Sequence, residues 1–469
     1  MLQKYPLYGT LLALAAALSG CAAVGPDYRP PEPAAPAQWK NSAQLPDAGR
    51  KADPARWWQS FDDPQLELLI DLALAQNHDL KSAQAQLREA RARANFTDAA
   101  LYPQLTLNAG ANRSESGGNG KPNYSHSAGF DASWEIDLFG GNRRASEAAV
   151  ASAQASEASL RDVEVSLVAE VANAYISLRT LETRRAVAAG NLASQQETRN
   201  LTRWRWQAGL ASELDFVQSE STLAQTRAKL PAFDSQIEET RNQLAILLGV
   251  QPAQLPDLSA STGRIPAYSS LAGLRIPLDT LRQRPDLRAA ERKLAAQTVQ
   301  VGVATAARYP ALNLSGSIGF QADDAGRLLR ADSLLNSLAA NLAAPIFDAG
   351  RIRANIAIQN ALLDQALATY EKTVLQALAD VENALMALAK TAAREADLKE
   401  ANASAQSADQ LARQRYASGL ADHLAVLEAE RTLLSVQDSL KSVEGERASA
   451  LVQLYKAMGG SPAIGENGK

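Results

Sequence analysis

"AGFDASWEIDL", residues 128–138, puts Ala128, Phe130, Ala132, Trp134, Ile136 and Leu138 on one side of an extended chain and Asp131, Ser133, Glu135 and Asp137 on the other. An alternation of period two with one apolar and one polar face is the mark of a half-buried β-strand. Three other segments share it. Leu105, Leu107, Ala109 and Ala111 alternate with Thr106 and Asn108, and Leu312, Leu314, Ile318 and Phe320 stand opposite Asn313, Ser315, Ser317 and Gln321. Residues 337–347 alternate more weakly through Leu342 and Ile346. The expected strands are therefore about 104–112, 127–138, 311–321 and 337–347. At roughly ten residues each they suit a tilted transmembrane strand with lipid outside and water inside. A soluble sandwich would leave Asp131, Glu135 and Asp137 on an open face with nothing long enough to cover it.

Four strands cannot close a membrane barrel, since the smallest closed barrels have about eight, and hydrocarbon tolerates no unpaired edge. Closure must come from sister copies. Two would give eight strands with a filled interior, and three would give twelve with a water-filled lumen.

Outside the strands the period changes to helical. Leu160, Val163, Leu167, Val171, Ala174, Leu178 and Leu181 recur in steps of three or four, as do Leu363, Leu367, Tyr370, Val374, Leu378, Val381, Leu385 and Leu388. A period near 3.5 residues is a coiled-coil seam rather than the broad stripe of a globular helix. The proline-free run from Arg144 to about Arg205 could extend on the order of 90 Å, so it must leave the bilayer.

The chain also writes itself twice. "RWQAGLASEL" at 205–214 is answered by "RYASGLADHL" at 415–424, and "VANAY" from Val171 by "VENAL" from Val381, each 210 positions on. Asp79-Leu80 and Tyr102-Pro103 are answered 207 positions on. A match that persists at a near-constant offset is a tandem duplication, with repeats over 62–252 and 273–462 and a turn-rich linker over 253–272. Each repeat reads helix, strand, strand, long helix, reversal, helix. The reversals fall at the two RxxxGL turns, with Gly209 and Gly419 as left-handed helix caps.

Composition narrows the function. Net charge is −4, which opposes a nucleic-acid binder with its concentrated basic surface, and aromatics at 5% of the chain suit long, thin helical packing better than thick cores. His78, His126 and His423 are scattered and give no metal-ligand spacing. No nucleophile and base recur in a recognisable motif, so no catalytic residue is expected. The amino terminus has one early lysine, an apolar run from Leu11 to Leu18, and then the chain's single cysteine in "LSGC". This is the form of a secretory signal over 1–20, and the "LSGC" stretch resembles the bacterial lipobox. Cys21 is then the attachment point for diacylglycerol and an N-acyl chain, followed by an extended tether over 21–61. Residues 463–469 form a tail.

These features together resemble the TolC-type outer membrane factors, in the OprM/NodT branch of efflux lipoproteins. The residues that carry the resemblance are "CAAVGPDYRPP" from Cys21, "WWQSFDDPQLELLIDLALAQNHDL" from Trp57, "YPQLTL" from Tyr102, "SWEIDLFGGNRRA" from Ser133, "APIFDAGRIRA" from Ala344 and the two RxxxGL turns. The resemblance implies an α+β membrane protein. Its homotrimer would form a twelve-stranded β-barrel, four strands from each chain, in outer-membrane lipid, continued by a long α-helical barrel through the periplasm. It implies a passive efflux conduit docked to a periplasmic adaptor and an inner-membrane pump of the proton-driven RND type, with no cofactor. A type I secretion channel, or a coiled-coil lipoprotein without a pore, stands as the alternative. The tips carrying Arg205, Gly209, Leu210, Arg415, Gly419 and Leu420 would meet the adaptor. The resemblance assigns a gate to Asp215, Tyr416, Asp422 and Glu428, with Tyr416 linking neighbouring coils to the position of Asp215. Ala425 departs from that pattern, where another acid of the ring can stand. Helix capping by Ser212-x-x-Asp215 and by Asp422 accounts for part of this acidity.

Overall fold

The computed structural model describes residues 23–31, 39–40, 54–115, 122–258, 264–268 and 283–460. The signal segment 1–20, Cys21 and the tail 463–469 lie outside the described residues. The elements run α1 (Pro64–Gln76), α2 (His78–Asp98), β1 (Gln104–Ser114), β2 (Asn123–Ile136), α3 (Gly141–Gln207) and α4 (Glu213–Leu248). They continue with α5 (Pro285–Ala306), β3 (Ala311–Ala322), β4 (Leu334–Ala343), α6 (Arg351–Ala417) and α7 (His423–Ala457). Helices α3 and α6 are each 67 residues long, on the order of 100 Å of rise. No helix among the described residues is long and apolar enough to cross a membrane.

Two compact units divide the chain, and each draws on both copies of the duplication. The first holds the described residues of 23–31, 85–158 and 288–373. Its centre is one antiparallel sheet in the order β1-β2-β3-β4, so the strands of the two copies join rather than face each other. The register settles the faces. Leu107 pairs with Phe130, Phe130 with Ile318, and Leu105 with Ala132, while Trp134 pairs with Leu314 and Leu314 with Ala340. These apolar side chains share one face. The other is a polar ladder: Thr106, Asp131, Ser317 and Ser337 lie in one row, where Asn108 donates to Asp131 Oδ2 at 2.5 Å and the hydroxyls of Ser317 and Ser337 stand 2.7 Å apart. Gly129 lies opposite Gly319 because each backbone fills the space a side chain there would need: a Cβ on Gly319 would come within 2.6 Å of Ala128 O.

β2 and β4 differ from the alternation at both ends. β2 begins at Asn123, earlier than expected, because pairing with β1 continues to Ser114 opposite Asn123. It ends at Ile136, because Asp137 turns to accept from the Arg143 backbone N–H at 2.8 Å. β4 spans Leu334–Ala343 instead of 337–347. Pro345 has no N–H for the ladder, and Asp348 caps the start of α6 by accepting from Gly350 N and Ile352 N at 3.0 and 2.8 Å. Ile346 is thereby left outside the strand.

Residues 23–31 form a strap on this unit. Val24 N donates to Phe139 O at 3.1 Å, Asp27 pairs with Arg144 at 2.5 Å, and the Tyr28 hydroxyl donates to Glu291 Oε1 at 2.6 Å. Ala23 lies against Gly140 and Gly25 against Gly302 so closely that a Cβ on either of Gly140 and Gly302 would collide with the strap backbone.

The second unit holds the described residues of 39–84, 159–287 and 374–460. Leu167, Val171, Ala174 and Leu178 of α3 are buried in it, as are Val374, Val381, Leu385 and Leu388 of α6, so this stretch of the seam read from the sequence is packed, whereas Leu367 stands exposed. Leu66, Leu69 and Ile70 of α1 join them, with Leu244 and Leu248 of α4. Trp57 stacks on Tyr455 at 5.1 Å. Arg179 is wholly buried and is paired with Glu182 at 2.7 Å and with the Leu258 carbonyl at 2.6 Å, its guanidinium 4.9 Å over the Tyr175 ring and its Nε without a hydrogen-bond partner.

Candidate functional site

Both helical reversals lie in the second unit, and the sequence builds them alike. α3 ends with Gly209 at φ 71° and α6 with Gly419 at φ 74°, a conformation open to glycine without a Cβ penalty. Leu210 N donates to Arg205 O at 2.7 Å and Gly209 N to Trp206 O at 2.9 Å. Leu420 N to Arg415 O at 2.7 Å and Gly419 N to Tyr416 O at 3.0 Å repeat the pattern. This is the Schellman end, which satisfies the last carbonyls of each helix. Leu210 and Leu420 are thrust into solvent, 71% and 80% exposed, with Leu214 and Leu424 also exposed. Each turn thus presents two leucines to solvent.

The next helices start with caps. Ser212 Oγ accepts from Asp215 N and Asp215 Oδ2 accepts from Ser212 N, both at 3.1 Å, which is a complete capping box. In the second copy Asp422 accepts from Ala425 N at 3.0 Å. Ala425 stands where Asp215 stands in the first copy, so the reciprocal half of the box is missing there. Capping therefore engages Asp215 and Asp422 within the chain. Glu428 is exposed and unrelated to any cap.

The tips are also tied to each other. Arg205 donates from Nη1 to the Tyr416 backbone oxygen at 2.6 Å and lies 4.5 Å over the Tyr416 ring. Tyr416 is buried, its hydroxyl 3.4 Å from Thr202 Oγ1, and its ring 5.4 Å from that of His423. No hydrogen bond joins Tyr416 to Asp215 within the chain among the described residues. Thr202 and His423 take the neighbouring positions instead, and Asp215 acts on the His423 imidazole through its charge. Burial holds that imidazole below the ordinary histidine range, against the opposing pull of Asp215 and Asp422.

The tips are not equivalent. Where Tyr416 turns inward, its counterpart Trp206 lies on the surface and stacks on Phe216 at 5.1 Å. Further along, the second copy buries a polar cluster that period and motif do not single out. Glu430 is 1% exposed. Its Oε1 accepts from Thr198 Oγ1 at 2.6 Å and pairs with Arg413 at 2.9 Å, and Arg413 Nε donates to Asp409 Oδ2 at 2.8 Å. The available signal was an acid at a seam position of α7, four residues from the buried Val426 and Leu434.

The described residues contain no group of His, Cys, Asp and Glu side chains able to hold a metal ion. Known proteins resemble the chain along nearly its whole length. Residues 69–250 and 276–460 match the outer membrane efflux protein family. The pyoverdine export outer membrane protein OpmQ of Pseudomonas aeruginosa is 35% identical over 466 residues, covering 94% of this chain and 96% of its own. Nodulation protein T of Rhizobium leguminosarum bv. trifolii is 31% identical over 448 residues, covering 94% and 95%. Among solved structures, the outer-membrane channel OprN superposes with a TM-score of 0.88 at 37% identity, covering 93% of this chain and 99% of its own.

Proposed function

Since the chain belongs to the outer membrane efflux protein family and acts as an outer-membrane efflux channel, we propose that three copies join β4 of each to β1 of the next and close a twelve-stranded barrel. The observation that carries this reading is a sheet with one apolar face, one polar face and two edges, β1 and β4, that no other strand covers among the described residues. In hydrocarbon such edges must pair. Three copies place the apolar faces toward lipid and the Asp131–Ser317–Ser337 rows toward a water-filled lumen. Trp134, Tyr102 and Tyr309, exposed near the helical end of the sheet, suit the aromatic girdle at a membrane interface. The first residues of α6, Arg351 to Thr373, expose most of their side chains in the single chain, as a helix does when a sister copy covers it.

The helices continue the lumen as an α-helical barrel. Its tips, with Arg205, Gly209, Leu210, Arg415, Gly419 and Leu420, dock a periplasmic adaptor that joins the channel to an RND-type inner-membrane pump. Asp215, Tyr416, Asp422 and Glu428 narrow the tip. Cargo passes without a catalytic step or a cofactor. The strap holds Ala23 beside Gly140, next to the end of β2, which supports a diacylglycerol and N-acyl anchor on Cys21 entering the same leaflet.

Native mass spectrometry of detergent-extracted protein, with planar-bilayer recording of the same preparation, tests this. A trimer that conducts is the expected result. A stable monomer without a continuous conductance would overturn it.

A further inference from the structure

The duplication supplies its own control for the buried cluster near the second tip. Counting back 210 positions, Glu430 corresponds to Glu220, Arg413 to Arg203 and Asp409 to Arg199. In the first copy Glu220 pairs with Arg199 at 2.6 Å, and the Glu220 side chain is 45% exposed. In the second, an aspartate replaces that arginine. One guanidinium, Arg413, then serves two carboxylates, Asp409 at 2.8 Å and Glu430 at 2.9 Å. Both acids are buried, and each keeps an enclosed oxygen without a partner, Asp409 Oδ1 and Glu430 Oε2. The excess negative charge therefore sits where burial makes it costly.

The cluster also crosses between copies. Glu430 is on α7, Arg413 and Asp409 are on α6, and Thr198, which donates to Glu430, is on α3 of the first copy. We propose that Glu430, Arg413, Asp409 and Thr198 form a proton-dependent latch at the tip: with one proton bound the cluster is neutral and holds α7 against α3, and with that proton lost the uncompensated charge loosens the contact and widens the tip. This rests on the channel reading given above and adds a positioning residue, Glu430, to it.

The electrostatics agree in direction. Burial is the largest influence on Glu430 and Asp409 adds to it, while Thr198 and Arg413 oppose; the net effect raises the carboxyl above its ordinary range. A raised carboxyl pKa stabilises the folded contact at low pH and withdraws that stability as pH rises through the folded value, here above about 4.3. His423 at the same tip, near Tyr416, Thr202, Asp215 and Asp422, works in the opposite sense: burial keeps it neutral, so the charge it gains in acid loosens the contact that a proton on Glu430 strengthens.

Recording the full-length wild-type channel in planar bilayers from mildly acidic to mildly alkaline buffer tests the latch. Wild type should be narrowest in acid, with the closed-to-open ratio falling by at most about tenfold per pH unit, the limit for one proton per chain. Glu430→Gln keeps the acceptor for Thr198 and Arg413 but stays neutral, so its profile should be flat and closed. Glu220→Gln, the same change at the exposed counterpart, should keep the wild-type profile. Asp409→Asn neutralises the cluster from the other side and should also flatten it, which covers the case in which Glu430→Gln fails to assemble. A conducting wild type with no pH dependence, or a Glu430→Gln channel that keeps the wild-type slope, would overturn the latch and leave the channel intact. A protein that conducts at no pH would remove the channel reading and the latch with it.

Discussion

Replacing Arg205 by alanine removes a side chain that ties the first tip to the second through two interactions. Two interactions go at once. The first is a charged hydrogen bond to the Tyr416 carbonyl at 2.6 Å, in the class worth about 1.5–3 kcal/mol. The second is a guanidinium lying 4.5 Å over the Tyr416 ring, worth about 0.5–1 kcal/mol where water has access. Arg205 is partly exposed, so the lower ends apply and the sum is about 2 kcal/mol. The positive charge at the end of α6 also complements the partial negative charge of that helix terminus. With about 1.4 kcal/mol per tenfold change, Arg205→Ala should shift the closed-to-open balance of each chain by roughly 30-fold. Single-channel recording would show this as a higher open probability, and intact cells as greater sensitivity to a large antibiotic normally excluded by the outer membrane. Arg205→Lys should fall between, because an ammonium keeps the charge but loses the planar stacking. Tyr416→Leu keeps the carbonyl acceptor, so it should cost only the ring contribution and the hydroxyl contact with Thr202. Unchanged conductance in Arg205→Ala would refute the idea that the link between the tips restrains opening.

Asp215→Asn combined with Tyr416→Phe should raise single-channel conductance in planar bilayers; no change would remove these two residues from the gate. Gly319→Val should block assembly, because its Cβ would stand 2.6 Å from Ala128 O and from Gly129 Cα, forcing β2 from β3; a normal trimer on native gels would contradict the register. The Tyr175 hydroxyl donates to Asp63 at 2.9 Å, and burial foremost pushes its pKa up to about 12. A raised pKa favours the folded state below the unfolded value near 10, so thermal stability should decline as pH climbs from there through about 12, and Tyr175→Phe should lessen that decline in a pH-resolved melting series.

The sequence carried the strands because each side chain of a sheet with two unlike faces must choose one of them, as Phe130 and Asp131 do. It carried the tips because glycine at positive φ, a Schellman end and an N-cap leave a pattern that duplication then printed twice. The end of β4 was not visible in the alternation: Ile346 continues it by hydropathy, and only the missing N–H of Pro345 stops the ladder. The Glu430 cluster was hidden for a different reason. Its partners Thr198 and Arg413 are 232 and 17 residues away, and an acid on a long helix looks the same in sequence whether it is solvated like Glu428 or enclosed like Glu430.

Duplication explains why the two tips can share a backbone yet divide the work. The turn is fixed by Gly209 and Gly419 and by the same pair of backbone hydrogen bonds, so side chains around it are free to diverge without unfolding it. In the first copy they diverged outward: Trp206 stacks on Phe216 at the surface, and Glu220 pairs with Arg199 in partial contact with water. In the second they diverged inward, with Tyr416 against Thr202 and His423 and with Glu430 against Thr198. The Tyr416–Thr202 and Glu430–Thr198 contacts each reach a residue of the first copy, so movement of the second tip means breaking polar contacts in a dry environment. The two tips therefore differ beside the turn and not at it: Leu210 and Leu420 both stand in solvent, while the aromatic ahead of the glycine is at the surface in the first copy and buried in the second.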